Sequence, residues 1–552
     1  MKKKRLLALA LTLALLAALC ACGPNLNTSE GTFGDYGNPP GIGSADHNTS
    51  STTGSEDVFH GTGVVSFAAQ VDQLFATSCF AVKEDGTLWA WGSNAYCQLG
   101  NGYQGNTISF RDFLCQNTPV KILDDVKDCV TGEGFALALK NDNSVWAWGI
   151  NYCGQVGNGG TGDTTAADGQ LCQSTPVKIL EDVDSIYADS DYAAAIKTDK
   201  SLWMWGKNNY GQCGVGEAGN GTYHYIIDRI DYSESGSMQS VPAKVLDRVT
   251  FFLMYDETTA AITEDGKLWI WGSNAQGQMG NEMYSAGNVC TPLNIMDDVK
   301  SVAFHGANFS AIQSDGTLWI WGDNLGGQIG NGQSMNHVVT PTRIMTNVKY
   351  VDINTYRTVA ITNNGELWSW GGNPYGELGI GTNSNDSLTP TKIMDGVSKV
   401  YAQNGCTAAI KEDKSLWLWG YDFGGSLGVG PGDILVYDDS ITASPTKVMD
   451  DVEELSWQAD VTAGAKLIAL KSDGSLWAWG TSRAKGLGVP RDGTVTKVMD
   501  NVDSVVFNAW INTNGAVIKK DGSLWMWGEN NYGQVGKDTD GFEVVGPIRV
   551  FD

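Results

Sequence analysis

One four-residue motif, Trp-x-Trp-Gly, recurs nine times along this chain of 552 residues. The copies begin 48 to 66 residues apart and contain all but two of the 20 tryptophans, so chance recurrence is not a serious competitor. An internal repeat of this period predicts an array in which each unit buries its apolar surface against its neighbours. The first tryptophans of the copies stand at positions 89, 146, 203, 269, 319, 368, 417, 477 and 525.

The fifth copy shows the local structure that the repeat predicts. Two apolar runs, residues 309–312 and 317–322, flank the Asp-Gly pair at 315–316. This arrangement predicts a β-hairpin with a tight two-residue turn, in which the Asp-Gly pair supplies the positive φ angles. The two tryptophans point to one side of the second strand, while Leu318 and Ile320 point to the other. A strand that is apolar on both faces requires a neighbouring sheet on each side.

Each unit closes on a short strand that proline opens, residues 340–345 in the fifth unit. Four short strands per unit, repeated nine times, predict an all-β fold, a β-propeller of nine repeat units. A single nine-bladed ring is the prediction, and a seven-bladed ring plus two units is the alternative. Residues 64–67 and 547–550 both fit the proline-strand position of the first unit, so the closing strand stays open between them.

The units resemble the regulator-of-chromosome-condensation repeats, whose pattern joins Asp-Gly, Leu-Trp-x-Trp-Gly-x-Asn and Gly-Gln-Leu-Gly. The last element occurs here as Gly154-Gln155-Val156-Gly157, Gly211-Gln212-Cys213-Gly214, Gly277-Gln278-Met279-Gly280 and Gly533-Gln534-Val535-Gly536. The resemblance covers residues 61–552 and implies a propeller scaffold. The family usually closes seven blades, and its eukaryotic members carry a histidine near the positions that Phe80, Phe135, Tyr192, Phe309 and Cys406 occupy here. We therefore do not expect the exchange-factor activity on a nuclear small GTPase.

The N-terminus predicts export and a lipid anchor. Four basic residues, 2–5, precede an uncharged Leu/Ala run at 6–21, which is typical of a signal peptide. The run ends in Ala21-Cys22, which resembles the lipobox of bacterial lipoproteins, so Cys22 is predicted to become the diacylated mature terminus. An uncleaved membrane helix is the alternative, although 16 residues is short for one. We expect a signal peptide at 1–21, a Gly/Ser/Thr/Asn tether at 22–60 and the propeller at 61–552, exported and held on the outer face of the bacterial cell membrane.

Charge excludes one class of partner. The chain has 36 Lys and Arg against 62 Asp and Glu, a formal net charge of −26. A binder of duplex nucleic acid needs an excess of basic groups to neutralise phosphates, so no nucleic acid is expected.

Three long loops carry the predicted recognition surface. Between the Gly-Gln-Leu-Gly element and the next proline strand, the first three units run through residues 101–118, 158–175 and 215–241, whereas the fifth needs about ten residues. Equivalent loops of a propeller emerge on one face, and aromatic and arginine side chains among Gly, Asn and Ser are typical of binding surfaces. The alternative is that these aromatics pack onto the blades below. The predicted binding residues are Phe110, Arg111, Phe113, Tyr223, His224, Tyr225, Arg229 and Tyr232.

The cysteines predict cross-links in two of these loops. Cys97 and Cys153 lie near the start of a loop, and Cys115 and Cys172 lie four residues before the proline that ends it. We predict the bridges Cys97–Cys115 and Cys153–Cys172. Free thiols, or zinc binding by the four, are the alternatives. Cys79, Cys129 and Cys406 fall in strands, where they are expected to be small core residues.

Catalytic patterns are missing from the sequence. The five histidines share no sequence context, and neither a zinc-protease motif nor a phosphate-binding loop occurs. Asp538, Asp540 and Glu543 resemble a calcium loop only faintly, so neither a metal nor a cofactor is predicted. We predict a monomeric binding module for an extracellular protein or glycan, with no enzymatic activity. The alternative is a propeller enzyme, a lyase or glycoside-active, with its site at the central channel mouth.

Overall fold

The structure is a computed structural model, and it describes residues 63–551 with internal gaps. The gaps are at 72–76, 103–106, 109–113, 161, 167–168, 218, 228–229, 256, 283–286, 384–385, 404, 424–426, 429–438, 461–463, 481–485, 491–492, 509–513 and 540–542. The signal peptide and tether predicted at 1–60, with Cys22, lie outside the described residues.

In the part of the chain that the structure describes, the strands form nine antiparallel sheets, and α-helices are absent. We call each sheet a blade. The strands of blades 1 to 3 are β1 (Val64–Val71), β2 (Thr77–Lys83), β3 (Leu88–Ser93), β4 (Thr107–Ile108), β5 (Leu114–Leu123); β6 (Val126–Gly132), β7 (Phe135–Lys140), β8 (Val145–Ile150), β9 (Thr164–Thr165), β10 (Leu171–Leu180); and β11 (Val183–Asp189), β12 (Tyr192–Lys197), β13 (Leu202–Lys207), β14 (Gly221–Ile227), β15 (Ile230–Leu246).

Blades 4 to 9 have four strands each. Those of blades 4 to 6 are β16 (Val249–Tyr255), β17 (Thr258–Thr263), β18 (Leu268–Gly272), β19 (Val289–Met296); β20 (Val299–His305), β21 (Asn308–Gln313), β22 (Leu318–Asn324), β23 (Asn336–Met345); and β24 (Val348–Ile353), β25 (Arg357–Thr362), β26 (Leu367–Gly371), β27 (Ser387–Met394). Those of blades 7 to 9 are β28 (Val397–Gln403), β29 (Cys406–Lys411), β30 (Leu416–Phe423), β31 (Asp439–Met449); β32 (Val452–Asp460), β33 (Gly464–Lys471), β34 (Leu476–Gly480), β35 (Thr496–Met499); and β36 (Val502–Asn508), β37 (Gly515–Lys519), β38 (Leu524–Glu529), β39 (Glu543–Arg549).

The nine blades form one propeller, which confirms the nine-bladed ring and rules out the seven-plus-two alternative. The first strand of a blade lies innermost, since the first strands contact one another from blade to blade, and β36 contacts β1. Apolar side chains of adjacent blades share one core; Ile320 of blade 5, for example, packs in the same cluster as Val351 and Trp370 of blade 6. The strands are therefore buried on both faces, as the sequence predicts.

In blades 1 to 7, the second tryptophan of the motif joins its blade to the one before it. Trp148 is fully buried, and its indole N–H donates to the carbonyl of Gln98 at 2.9 Å. The same bond recurs in other blades, and Trp91 of blade 1 donates to the carbonyl of Gln534 in blade 9 at 3.0 Å. Since this repeated bond also joins the last blade to the first, the ring closes by the contact that holds its other members together.

Ring closure resolves the ambiguity of the closing strand. β1 is the first strand of blade 1 and β39 is the fourth strand of blade 9, so neither takes the proline-strand position of blade 1, which β5 fills. Each sheet is thus built from one continuous segment. Val64 donates its backbone N–H to Gly522 O at 2.8 Å, which fastens β1 to the last blade.

Two local predictions were wrong. The Asp-Gly turns are three-residue loops: in blade 1, Gly86 N bonds Lys83 O at 2.8 Å and Lys83 N bonds Thr87 O at 3.0 Å, and the positive φ of 76° is at the glycine, not at the aspartate before it. The fourth strand of blade 5 begins at Asn336 rather than at the proline. Pro341 lies where the pairing register shifts, a bulge at which its missing N–H does not interrupt the ladder.

Candidate interaction face

The ring has two ends with different components. One end, which we call the turn face, carries the turns between second and third strands and the links from each outer strand to the next blade. The other end, the loop face, carries the turns between first and second strands and the loops between third and fourth strands. The three long loops predicted for recognition all lie on the loop face.

The Gly-Gln-Leu-Gly elements of the loop face are held by their own polar side chains. In blade 1, the side-chain carbonyl of Asn94 accepts the N–H of Leu99 at 3.1 Å, and Gln98 Oε1 accepts the N–H of Tyr96 at 2.7 Å. Blades 2 to 6 and 9 repeat both bonds. These motif side chains therefore shape the turn from which the loops of this face extend.

Each of the three long loops adds a fifth strand to the outer edge of its own blade. β4 pairs with β5, β9 with β10 and β14 with β15. The first two additions are two residues long, whereas β14 and β15 form an extended hairpin in which Tyr225 pairs with Tyr232 and Ile227 with Ile230. The insertions therefore lie at the rim of the ring rather than over its channel.

The long hairpin extends past the sheet that carries it. The last pair between β13 and β15 is Lys207 with Met238, and β15 begins eight positions earlier, at Ile230. At about 3.4 Å per residue, this part of the hairpin spans roughly 27 Å. We call residues 221–237 the hairpin arm.

The structure describes the eight predicted binding residues to different extents. Phe110, Arg111, Phe113 and Arg229 lie outside the described residues. His224 and Tyr225 are on β14 and Tyr232 is on β15, and the structure describes their backbone alone.

Tyr223 is a correction, because only 5% of its surface is exposed. Its hydroxyl accepts a hydrogen bond from Asn209 Nδ2 at 3.0 Å, and its ring packs edge-on against Tyr152 of blade 2 at a centroid distance of 5.6 Å. Burial of the ring raises the pKa of the hydroxyl. For this residue the packing alternative holds: Tyr223 anchors the base of the hairpin arm instead of contacting a partner.

An ion pair lies beside this anchor. Lys207 Nζ, at the end of β13, is 3.7 Å from Asp191 Oδ2 in the turn before β12. Burial raises the pKa of Asp191, and the neighbouring ammonium acts in the opposite direction. The pair joins the third strand of blade 3 to its inner turn, at the root of the hairpin arm.

The structure does not bring together the cysteines of either predicted bridge. The nine cysteines that the structure describes are thiols, and none takes part in a disulfide. Cys115, on β5, pairs with Ser93 of β3 and packs against Tyr532 of blade 9. Cys97 packs with Cys172 of blade 2. The two cysteines of one loop thus face opposite neighbours. The sequence argument treated each loop as a closed unit, whereas the propeller packs the turn of one blade on the outer strand of the next.

Cys153 likewise does not meet Cys172. Its thiol donates to Gln155 Oε1 at 3.1 Å and lies 3.5 Å from Asp191 O in blade 3. Cys79, Cys129 and Cys406, predicted to be core residues, are buried.

The structure reveals an asymmetry that the sequence reasoning missed. Arg357, 2% exposed, begins the second strand of blade 6 opposite the motif glycine Gly371. Its guanidinium is 3.7 Å from Glu377 Oε1 and donates to the carbonyls of Gln403 and Cys406 in blade 7. Glu377 stands where most blades have the motif glutamine, and a glutamate in that slot was the available signal.

A second acid, Asp352, is partly buried and completes this cluster. Asp352 Oδ2 accepts the N–H of Ala402 in blade 7 at 3.2 Å. Burial raises the pKa of Asp352 to about 6 and raises that of Glu377, while Arg357 acts against both shifts. Because Arg357 and Asp352 bond to backbone groups of blade 7, the cluster fastens blades 6 and 7 together.

The described residues hold neither a metal-ligand cluster nor a membrane-spanning helix. Among the residues that the structure describes, no group of three His, Cys, Asp or Glu side chains is placed to hold a metal ion. Of the faint calcium loop, Asp538 accepts a hydrogen bond from Asn117 Nδ2 at 2.8 Å, and Asp540 lies outside the described residues. No helix within the described ranges has the length and apolar character that crossing a membrane requires.

The repeats place the chain in a known family. A family model described as RCC1-like domain matches residues 19–352, more than half of the chain. The chain belongs to the RCC1-like family. Two further models, both described as regulator of chromosome condensation (RCC1) repeat, match residues 364–410 and 348–377.

Similar proteins share part of the chain. Human probable E3 ubiquitin-protein ligase HERC6 is 29% identical over 204 residues, 36% of this chain and 18% of that protein. Mouse X-linked retinitis pigmentosa GTPase regulator is 27% identical over 185 residues, 32% of this chain and 16% of that protein. The chain thus spans less than a fifth of either relative.

Two solved structures match about two thirds of the chain. The crystal structure of human WBSCR16 has a TM-score of 0.41 at 20% identity and covers 67% of this chain and 96% of its own. That of yeast RCC1 (Prp20), in a complex with Kap60, has a TM-score of 0.40 at 20% identity and covers 66% of this chain and 86% of its own.

Proposed function

We propose that this RCC1-like propeller is a lipid-anchored binding module of a bacterial cell surface that captures an extracellular protein with the loop face of its ring. Propellers of the family are typically binding or regulatory modules, which supports a protein partner. The anchor rests on the lipobox-like sequence ending in Cys22 and on the polar tether after it. The ligase activity in the printed name of HERC6 is not carried over, because the match covers 18% of that protein.

The hairpin arm is the observation that carries this proposal. Blades 1 to 6 and 9 share the motif hydrogen bonds on the loop face, yet, among the residues that the structure describes, blade 3 alone extends its outer edge into a long two-stranded arm. A projecting hairpin exposes an unpaired strand edge, β14, to which a partner can add a strand of its own or on which it can pack. Tyr223, Asn209 and the Lys207–Asp191 pair fix the base of the arm, so a partner meets a surface held in place by its root.

The test truncates the arm while leaving its base. Tyr223 pairs with Gly236, so replacing residues 224–235 by Asn-Gly keeps the buried tyrosine and closes the hairpin with a favoured two-residue turn. A larger deletion is unsuitable, since Gln239 pairs with Gly206 inside the sheet and is itself buried. We expect the truncated full-length chain, displayed on its own cells, to lose at least about tenfold in affinity for the protein that the parent chain captures.

The control is Met335→Ser in the short loop of blade 5, a side chain that is 76% exposed on the same face. It should leave capture unchanged, and both variants should keep the thermal transition of the parent. Undiminished capture by the truncated chain would move the site to the central channel or the turn face. Capture that free oligosaccharides abolish would identify a glycan in place of a protein surface.

A further inference from the structure

Cys97 occupies a position that glycine fills elsewhere in the ring. The equivalent residues Gly154, Gly211, Gly277, Gly327, Gly376 and Gly533 have φ between 71° and 79°. Cys97 has a φ of 62°, in the left-handed region where a Cβ is unfavourable. A side chain placed there against the conformational preference calls for a compensating interaction.

Any side chain at this position points at the next blade. A Cβ built on Gly154 would lie 2.7 Å from the Cα of Ser240, and one built on Gly376 would lie 2.8 Å from the Cα of Ala443. Both neighbours belong to the outer strand of the following blade. The turn that holds Cys97 is fixed in the same way, because Gly102 N bonds Ser174 O of blade 2 at 2.9 Å.

Cys172 is the residue that Cys97 meets across this interface. It lies on β10, two positions before Ser174 and therefore on the same side of the strand. Both cysteines are fully buried in one core cluster, and their thiols are hydrogen-bonded to each other. That bond, together with burial, raises the pKa of the Cys97 thiol. The Cys172 thiol in turn donates to Gln170 O at 3.6 Å.

We propose that Cys97 and Cys172 are a disulfide site, which joins blade 1 to blade 2 covalently in the oxidised protein. The oxidant is a disulfide, either of a thiol–disulfide oxidoreductase or of a small thiol. One cysteine thiolate attacks the oxidant and forms a mixed disulfide, and the second thiolate then displaces the remaining thiol. Two protein thiols lose two electrons and two protons in total, and the oxidant disulfide is reduced to two thiols.

The bridge has a consequence for the ring. Each sheet is one continuous segment, so no strand is exchanged between blades to lock them together. A link from the turn of blade 1 to the outer strand of blade 2 fixes two long loops of the loop face relative to each other. Because both thiols are buried once the blades have packed, we expect the bond to form during folding.

The experiment refolds the full-length chain, purified in detergent, with oxidised glutathione, and maps its disulfides by mass spectrometry of a non-reducing digest. The expected product is the peptide of Cys97 linked to that of Cys172, with two fewer alkylatable thiols. The oxidised chain should unfold about 5 °C above the reduced one, because the bond closes a long loop in the unfolded chain.

Two variants keep the test interpretable. Cys97→Gly restores the residue that other blades use, so this variant should fold. Its number of alkylatable thiols and its melting temperature should be the same in oxidant and in reductant. Cys213→Val is the control: it replaces another buried cysteine with valine, the residue at the equivalent positions 156 and 535. This variant should still form the Cys97–Cys172 disulfide. Linkage of Cys97 to Cys115, linkage of Cys153 to Cys172, or full recovery of nine thiols from the oxidised refolded ring would overturn the proposal.

Discussion

The turn face and the loop face are built from the same repeat but differ in regularity. On the turn face of blade 3, Asp199 Oδ1 accepts the backbone N–H of Ser201 at 2.9 Å and its hydroxyl at 2.6 Å, and Ser201 Oγ accepts the Trp203 indole N–H at 2.9 Å. Blades 2, 7, 8 and 9 repeat all three bonds. In the described part of the loop face, the hairpin arm, the Cys97–Cys172 contact and the Arg357 cluster each occur in one blade or at one blade interface.

The carboxyl groups of the two faces also differ, because their pKa values are shifted in opposite directions. Hydrogen bonds from a serine lower the pKa of the turn-face carboxyls Asp142, Asp199, Asp413, Asp473 and Asp521. Burial raises the pKa of the loop-face carboxyls Asp191, Asp352, Glu377 and Asp422. The turn face therefore contains a repeated local cap, whereas the loop face contains individual long-range contacts. The repeat thus preserves the scaffold at one end of the ring and allows specialisation at the other.

The largest effect should come from breaking the loop-face cluster at Arg357. Replacing Arg357 with Asn, the residue at the equivalent position 308 of blade 5, removes the cation from Glu377 and Asp352. Leaving buried acids without their partner should lower the free energy of unfolding by about 3–5 kcal/mol. Urea unfolding of the full-length chain at neutral pH measures the loss.

A second substitution separates charge from packing. Glu377→Gln places the usual motif residue in blade 6, so the double variant should recover part of the stability that Arg357→Asn loses. Equal losses in the single and double variants would mean that the arginine acts by filling space and bonding carbonyls in blade 7. A loss below about 1 kcal/mol would show that the loop face tolerates change there as readily as the turn face.

Asp352 should give the loop face a pH dependence opposite in sign to that of the turn-face carboxyls, whose pKa values are lowered. Its pKa is raised from 3.8 to about 6 in the fold. Between those values the folded chain keeps a proton that the unfolded chain has released, so this group makes stability fall as pH rises. The slope is at most about 1.4 kcal/mol per pH unit, and the whole effect is about 3 kcal/mol.

The measurement compares unfolding free energies between pH 4 and pH 7. Asp352→Asn should remove its share of the slope while keeping an acceptor for the Ala402 N–H. The matched control is Asp395→Asn, an exposed acid paired with Lys392 on the turn face, which should follow the parent profile. Identical slopes in the parent and in Asp352→Asn would contradict the raised pKa.

The sequence predicted the scaffold well because the motif itself makes the contacts between blades. The second tryptophan of every copy is buried in the core, and in blades 1 to 7 it also bonds to the preceding blade, so counting copies counts blades. The Asp-Gly turns were placed correctly, and only their length was wrong. Such features depend on residues close together in the chain, which a sequence pattern displays directly.

The loop face was harder to predict, since its contacts join residues of different units. Cys172 belongs with Cys97 through the packing of two sheets, and no spacing within one loop contains that information. Arg357 was hidden because it is a single change in a strand, and its only signal in the motif is the glutamate at position 377 in place of the usual glutamine. Tyr223 had the composition of a binding residue, but its burial follows from the neighbouring blade. Sequence composition indicated where the repeat is interrupted, not which side chains stay exposed.

The smallest effect, and the one that tests the regularity of the turn face, comes from Ser201→Ala. Ser201 is 1% exposed and mediates between Asp199 and Trp203, so its loss should cost about 1 kcal/mol of unfolding free energy. The same change at Ser144, Ser415, Ser475 and Ser523 should cost the same within about 0.5 kcal/mol, because each makes equivalent bonds. Thr87→Ser in blade 1 is the control, since it keeps the hydroxyl that bonds Asp85 and should be nearly neutral. Equal hydrogen bonds in equal surroundings should contribute equally to the free energy of unfolding. If the losses caused by Ser→Ala differ between blades by more than about 1 kcal/mol, the turn face, too, is specialised blade by blade.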